Sequence, residues 1–379
     1  MKLKTFALSI CLLFPIFALS ESNTLQRIQM EQQNVRANRN DVASIDRLCW
    51  LYIQMTRSTA DMSYVKKAEQ LLNAALQLEP KNYELRNNMG LVLMAQHRFV
   101  EARDIAAQTI QYNFGQSTAY GIFGDASVEL GDYDACVKAY QKMMDLHPGS
   151  PAYGRVAYYR RLTGDLAGAN EMLLTALNLT DMNDNENRAW FLYQMGLNFF
   201  FERKLKEAEA CERAALNVFP KYYNALATMG KIFAAEKRIQ EAISYYQQAV
   251  DVVPMPDFVA ALGDLYALNG NPKEADAQYA FVEYIAQISQ INQEIYNRQL
   301  AMFYADHDRN LKEALSLTEK ELSVRKDIYG YDAYAWCLYK NQRYSEAAEA
   351  MKKAMSMNTK DPMLLFHARM ISLSNGVTK

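Results

Sequence analysis

Residues 157–165 read AYYRRLTGD, two phenol rings and two guanidinium groups ahead of a turn signal. Arginine forks onto carboxylate or phosphate, and rings offer stacking faces. Arg160 and Arg161 could serve an anion site or a nucleic-acid surface, or belong to one face of a repeated helix. Histidine is the other candidate for chemistry. His97, His147, His307 and His367 are scattered, and none sits in HExxH or at metal-ligand spacing from a cysteine. The densest cluster, Asp306-His307-Asp308, falls at an expected turn, where a solvated loop is the preferred reading. GxSxG, the P-loop and the dinucleotide fingerprint are absent from the sequence. A nucleophile needs a neighbouring base and an orienting group, and nowhere do three such residues gather. Carboxylates, as in KLKEAEACE (204–212), have Lys three or four residues away and read as an outer, solvated helix face. The chain is expected to be non-catalytic, with no cofactor and no metal.

Bulk properties narrow the remaining classes. Half of the 379 residues are hydrophobic, enough for a sizeable core. The net charge of −2 lacks the basic excess that phosphate contacts need, so general nucleic-acid binding is not expected. Residues 1–20 combine a basic MKLK with an apolar run and Ala18-Leu19-Ser20. This pattern reads as a secretory signal peptide cut before Glu21, giving an exported, periplasmic or secreted protein. A retained anchor is the rival, but the run is short for a span, and no later run is long enough to cross a membrane. Cys49, Cys136, Cys211 and Cys337 form no disulfide framework and are expected as buried free thiols.

The elements that would position any site come from internal repetition. MGLVLMAQHRFVEARDIAAQTI (89–110) aligns with FGDASVELGDYDACVKAYQKMM (123–144), and MGLNFFFERKLKEAEACERAAL (195–216) with MGKIFAAEKRIQEAISYYQQAV (229–250). Each unit reads as two amphipathic helices. A small residue recurs in the second helix: Ala68, Ala102, Cys136, Ala169, Ala208, Ala242, Ala275, Ala314 and Ala347. Small side chains there let paired helices approach, and Pro80, Pro148, Pro220 and Pro254 end the second helices.

Leu226, Met229, Gly230, Phe233, Ala242, Tyr246 and Pro254 together resemble the tetratricopeptide repeat. The resemblance implies an all-α, right-handed superhelical solenoid of about nine helix-turn-helix units over 47–361. A polar linker is expected near 180–188 and a capping helix at 362–374. Residues 21–43, rich in Gln, Asn and Arg, are expected to be a polar, partly disordered segment.

In that family the first helix of each unit lines a concave, peptide-binding groove. Carried onto this chain, the inward positions are Asn87, Asp125, Arg155, Tyr158, Arg161, Trp190, Tyr193, Leu197, Phe200, Lys231, Asp264, Tyr296, Phe303, Trp336 and Tyr339. Such rings suit an extended peptide or a partner helix. They could equally fill contacts between successive helices. Members that capture a C-terminal carboxylate place Lys and Asn at set positions. Here those positions hold Asn87 with Leu91, Gly121 with Asp125, and Tyr193 with Leu197, so that mode is not expected. The resulting expectation is a protein-binding scaffold of the bacterial envelope. The alternatives are an accessory or chaperone-like subunit of an envelope enzyme or secretion complex, and a carbohydrate- or lipid-binding solenoid.

Overall fold

The structure, a computed structural model, describes residues 16–292 and 297–377, with side chains over 24–288 and 297–374. Most of the expected leader, residues 1–15, and Tyr296 lie outside the described residues. Every regular element described is a helix. A first helix, α1 (Ile16–Ala37), precedes nine hairpins. The first four are α2 (Val42–Thr59) with α3 (Met62–Leu78), α4 (Tyr83–Ala95) with α5 (Phe99–Tyr112), α6 (Ser117–Glu129) with α7 (Tyr133–Leu146), and α8 (Ser150–Leu162) with α9 (Leu166–Leu179). Next come α10 (Asn185–Phe201) with α11 (Leu205–Val218), α12 (Tyr223–Ala235) with α13 (Ile239–Val252), and α14 (Pro256–Leu268) with α15 (Pro272–Asn292). The last two are α16 (Asn297–Asp306) with α17 (Leu311–Val324) and α18 (Ile328–Lys340) with α19 (Tyr344–Ala354), before the terminal helix α20 (Pro362–Val377).

Local chemistry sets these boundaries. Side chains of Asp41, Asp61, Asn82, Asp132, Asp165, Asp184 and Asp327 accept first-turn N–H groups. The first helix of a hairpin typically ends in a left-handed residue followed by a six-to-one backbone bond. Asp132 N–H donates to Ser127 O at 2.8 Å, and Asp165 N–H to Arg160 O at 2.9 Å. The left-handed position is Gly131, Gly164 or Gly270 in three hairpins, and His97, Arg203, Lys237 or Gln342 in four others.

Two expectations are corrected. Residues 21–43 are mostly helical, because Ile28 is buried and Glu31 pairs with Arg47 on α2 at 2.7 Å. One apolar face and an ion pair buried on its carboxylate side suffice to dock an otherwise polar helix. The linker near 180–188 is shorter than expected, since Asp184 caps α10 and its first turn begins at Asn185.

The column of small residues is fully buried from Ala68 to Ala347. Ala208→Leu is expected to cost about 1–3 kcal/mol by forcing α10 from α11. A melting temperature equal to wild type would contradict this register.

The solenoid coils back upon itself. The turn closing the first hairpin reaches the start of the fifth: Arg57 pairs with Glu186 at 2.9 Å and donates to Asn187 at 2.8 Å. The turn of the third reaches the loop between the eighth and ninth. There Lys326 N–H donates to Glu129 O at 2.8 Å, and Ile328 N–H to the Tyr133 hydroxyl at 3.0 Å. Arg325 lies 2.6 Å from Glu129 and 5.0 Å over the Phe99 ring. Val128, Cys136, Tyr140 and Leu162 share one apolar cluster with Ile328 and Leu364. Turns of the early hairpins therefore rest on loops of the late ones.

Candidate binding groove

First helices line the inner wall, and the expected site residues divide there by role. Asp125 on α6 accepts the Tyr140 hydroxyl at 2.8 Å and takes Arg155 Nε and Nη2 at 2.9 and 2.8 Å. Asp264 on α14 repeats the arrangement. Tyr279 O–H donates to it at 2.8 Å, and His307 Nε2 lies 2.7 Å away. A tyrosine from the second helix thus passes beneath a glycine, meets an aspartate on the first helix, and the next unit supplies a cation. These struts tie successive repeats together.

His307 is held charged by geometry. Its Nδ1 faces Phe303 O at 2.7 Å and its Nε2 faces a carboxylate, so both nitrogens need protons. The hydrogen bond it donates to Asp264 raises its pKa against the pull of burial. Strut stability is fully present below the ordinary His value of 6.5 and is lost as pH rises through the folded pKa. NMR titration of the imidazole is expected to show a value above 6.5 that falls in Asp264→Asn. A wild-type titration at or below 6.5 would remove the strut.

The turn around His307 is exposed at Asp306 and Asp308, as expected, and its side chains also make contacts. Asp306 accepts Trp336 Nε1–H at 2.7 Å and Asp308 pairs with Lys340 at 2.7 Å, so all three cluster residues are engaged. Several expected contact residues are packing residues. Phe303 is buried beside Tyr279. Trp336 is 6% exposed and stacks on His367 at 4.2 Å and Tyr339 at 5.0 Å. Asn87 is buried, as is Arg161, which bonds Gln194 and lies 5.0 Å over the Tyr158 ring. Trp190 meets Phe191 edge-on, Tyr193 meets Tyr222 likewise, and Leu197 and Phe200 are half-buried. Lys231 and Asp264 remain exposed.

The fifth hairpin breaks the strut pattern. Glu212 stands where the third, sixth and seventh have Tyr140, Tyr246 and Tyr279. Far from facing outward, it is 0% exposed, its carboxyl lies against Gly196, and neither oxygen has a hydrogen-bond partner. Burial holds its pKa well above the carboxylate range, opposed by Lys231.

Coiling makes the groove a narrow axis. Asp257 keeps water-exposed surface, yet surrounding protein raises its pKa, opposed by Lys231 and Arg298. The half-buried Tyr158, Tyr193 and Tyr329 share this character, and Arg161 acts on all three. Arg161 on α8 therefore lies close enough to Tyr193 on α10 and Tyr329 on α18 to act on their charge. Asp257, Arg298 and Tyr329 escaped sequence reasoning because they lie early in their helices, outside the positions carried over. A further cavity of 710 Å³ opens between Gln54, Ser58 and Thr59 at the end of α2 and the loops at Asp184, Lys221 and Val252.

Among the described residues, no group of three or more His, Cys, Asp or Glu is placed to hold a metal, and no helix is long and apolar enough to cross a membrane. The four cysteines among the described residues are free, three buried and Cys211 half-buried.

Family models for the tetratricopeptide repeat match residues 65–122, 117–149, 193–254 and 228–283. No curated protein matches the chain. Among solved structures, the APC/C hetero-tetramer Cut9-Hcn1 is similar at TM-score 0.51 and 14% identity, over 94% of this chain and 69% of that one. The human IFIT1 dimer with m7Gppp-AAAA is similar at 0.50 and 13%, over 90% and 87%. PilW, a type IV pilus biogenesis factor, reaches 0.46 and 13% over 53% and 92%. At such identities the likeness concerns the fold alone.

Proposed function

The chain carries tetratricopeptide repeats folded as an all-α solenoid, and from that premise we propose a non-catalytic protein-interaction scaffold of the bacterial envelope. The supporting observation is that Tyr158, Tyr193, Lys231 and Asp257, from four successive hairpins, all keep accessible surface. Rings and charges spaced along one path suit a chain that extends past them. The candidate catalytic cluster at His307 is committed to holding repeats together, which supports a non-catalytic reading. The leader-like residues 1–20 support export, and an N-terminus at Glu21 in the envelope fraction would test it.

A photo-crosslinking residue at Lys231 in the full chain, in its native compartment, tests the scaffold. A protein adduct absent from the same probe at Lys138 is expected. Adducts only to lipid or glycan, or none, would refute it. Tyr193→Ala should weaken that adduct and keep helicity, whereas Trp336→Ala should cost stability, because Trp336 is packed.

A further inference from the structure

The coil leaves two rims uncovered, and they are of the two kinds that already pack within the chain. Turns of the first four hairpins rest on later loops, through Arg57 on Glu186, Lys326 on Glu129, and Gly164 against Asn358. Loops after α3, α5 and α7 have no earlier coil above them. Turns after α10, α12, α14, α16 and α18 have no later coil below. The same repeat position shows the difference. Leu78 and Tyr112, each the last residue of a second helix, are exposed and Phe114 is 68% exposed, whereas Leu146 at the same position of α7 is half-buried. Their equivalents Val218, Val252 and Val324 are half-buried where loops are covered.

Charge matches as well. In the free turns 202–204, 236–238, 268–271, 307–309 and 340–343, Lys and Arg outnumber Asp and Glu seven to three. In the free loops 78–82, 112–116 and 145–149, the carboxylates Glu79 and Asp145 outnumber the one cation, Lys81. The intrachain contact shows how such rims meet: Arg325 lies over the Phe99 ring while pairing with Glu129.

We propose that the occupant of each free rim is a second copy of this chain, stacked head to tail so that one molecule's coil continues into the next. The two rims differ, so the interface is heterologous and does not close on itself. Its apolar ridge, Tyr112 and Phe114 foremost, receives guanidinium and ammonium groups from the neighbour's turns.

Sedimentation velocity on the full chain tests this, with Phe114→Glu spoiling the loop rim and Lys237→Glu the turn rim. Both side chains are exposed, and circular dichroism checks that each variant keeps its helices. Wild type is expected to sediment faster as concentration rises, and less so in high salt. Each variant alone is expected to be monomeric. An equimolar mixture is expected to give a dimer and nothing larger, because one intact rim of each kind remains. Monomeric wild type up to its solubility limit would overturn the proposal. So would a dimer that survives Lys237→Glu, which indicates a two-fold contact between loop rims.

Discussion

Replacing Gly131 and Gly164 together by alanine opens the coil while leaving the hairpins helical. Both glycines are left-handed, at φ 75° and 79°, which costs an alanine about 1–2 kcal/mol each. Space adds the larger effect. A Cβ on Gly131 would sit 2.6 Å from Lys326 O, and one on Gly164 2.5 Å from Asn358 O. These are backbone atoms of the later coil, which cannot swing aside as a side chain does. The cheapest relief separates the coils, because neighbouring hairpins keep their own interfaces. Small-angle scattering is expected to show a larger radius of gyration with unchanged far-ultraviolet circular dichroism. Gly270→Ala is the control: it shares φ 79° but has nothing within 4 Å, so its scattering should stay at wild type. An unchanged radius in the double variant would mean that the coils are not held in contact.

Glu212→Tyr is expected to stabilise the protein at neutral pH. A buried polar group without partners costs about 1–3 kcal/mol, and removing it returns that amount. Tyrosine is the residue the neighbouring hairpins already fit at this position, beneath Gly124, Gly230 and Gly263. The effect depends on pH. The folded pKa lies well above the ordinary 4.5, so the folded state holds a proton that the unfolded chain has released. Stability is then greatest below about pH 4.5 and declines as pH rises towards the folded pKa. Glu129, raised to about 7 by burial, and Asp257 contribute the same slope. Glu212→Gln isolates one share: its melting temperature should fall less than that of wild type as pH rises from about 5 to about 8. Parallel curves for wild type and Glu212→Gln would show that Glu212 is solvated.

Much of the fold was legible. The period of 34, the buried small-residue column and the hairpin boundaries follow from contacts within one or two repeats, which a linear pattern records. The coil left no such trace: Gly131 and Gly164 occupy turns under later loops, but the open turn at Gly270 also uses glycine and the covered turn at His97 does not. The candidate site was less legible. Arg155 and Asp125 look alike whether they await a ligand or grip each other, and only their 2.8 Å contact decides. Glu212 carried the misleading signal: lysines nearby in sequence suggested an outer face, although its place four residues after Ala208 is the repeat's inner aromatic position.

By itself, then, the sequence determined paired helices, their register and the residues that pack between them. The tertiary structure decided what the inner wall is free to touch. The reason is the range of the forces: helix pairing is settled by neighbours 3 to 40 residues apart, roughly one repeat period. Coil closure joins Glu129 to Arg325, and its geometry accumulates from small rotations at every hairpin between them.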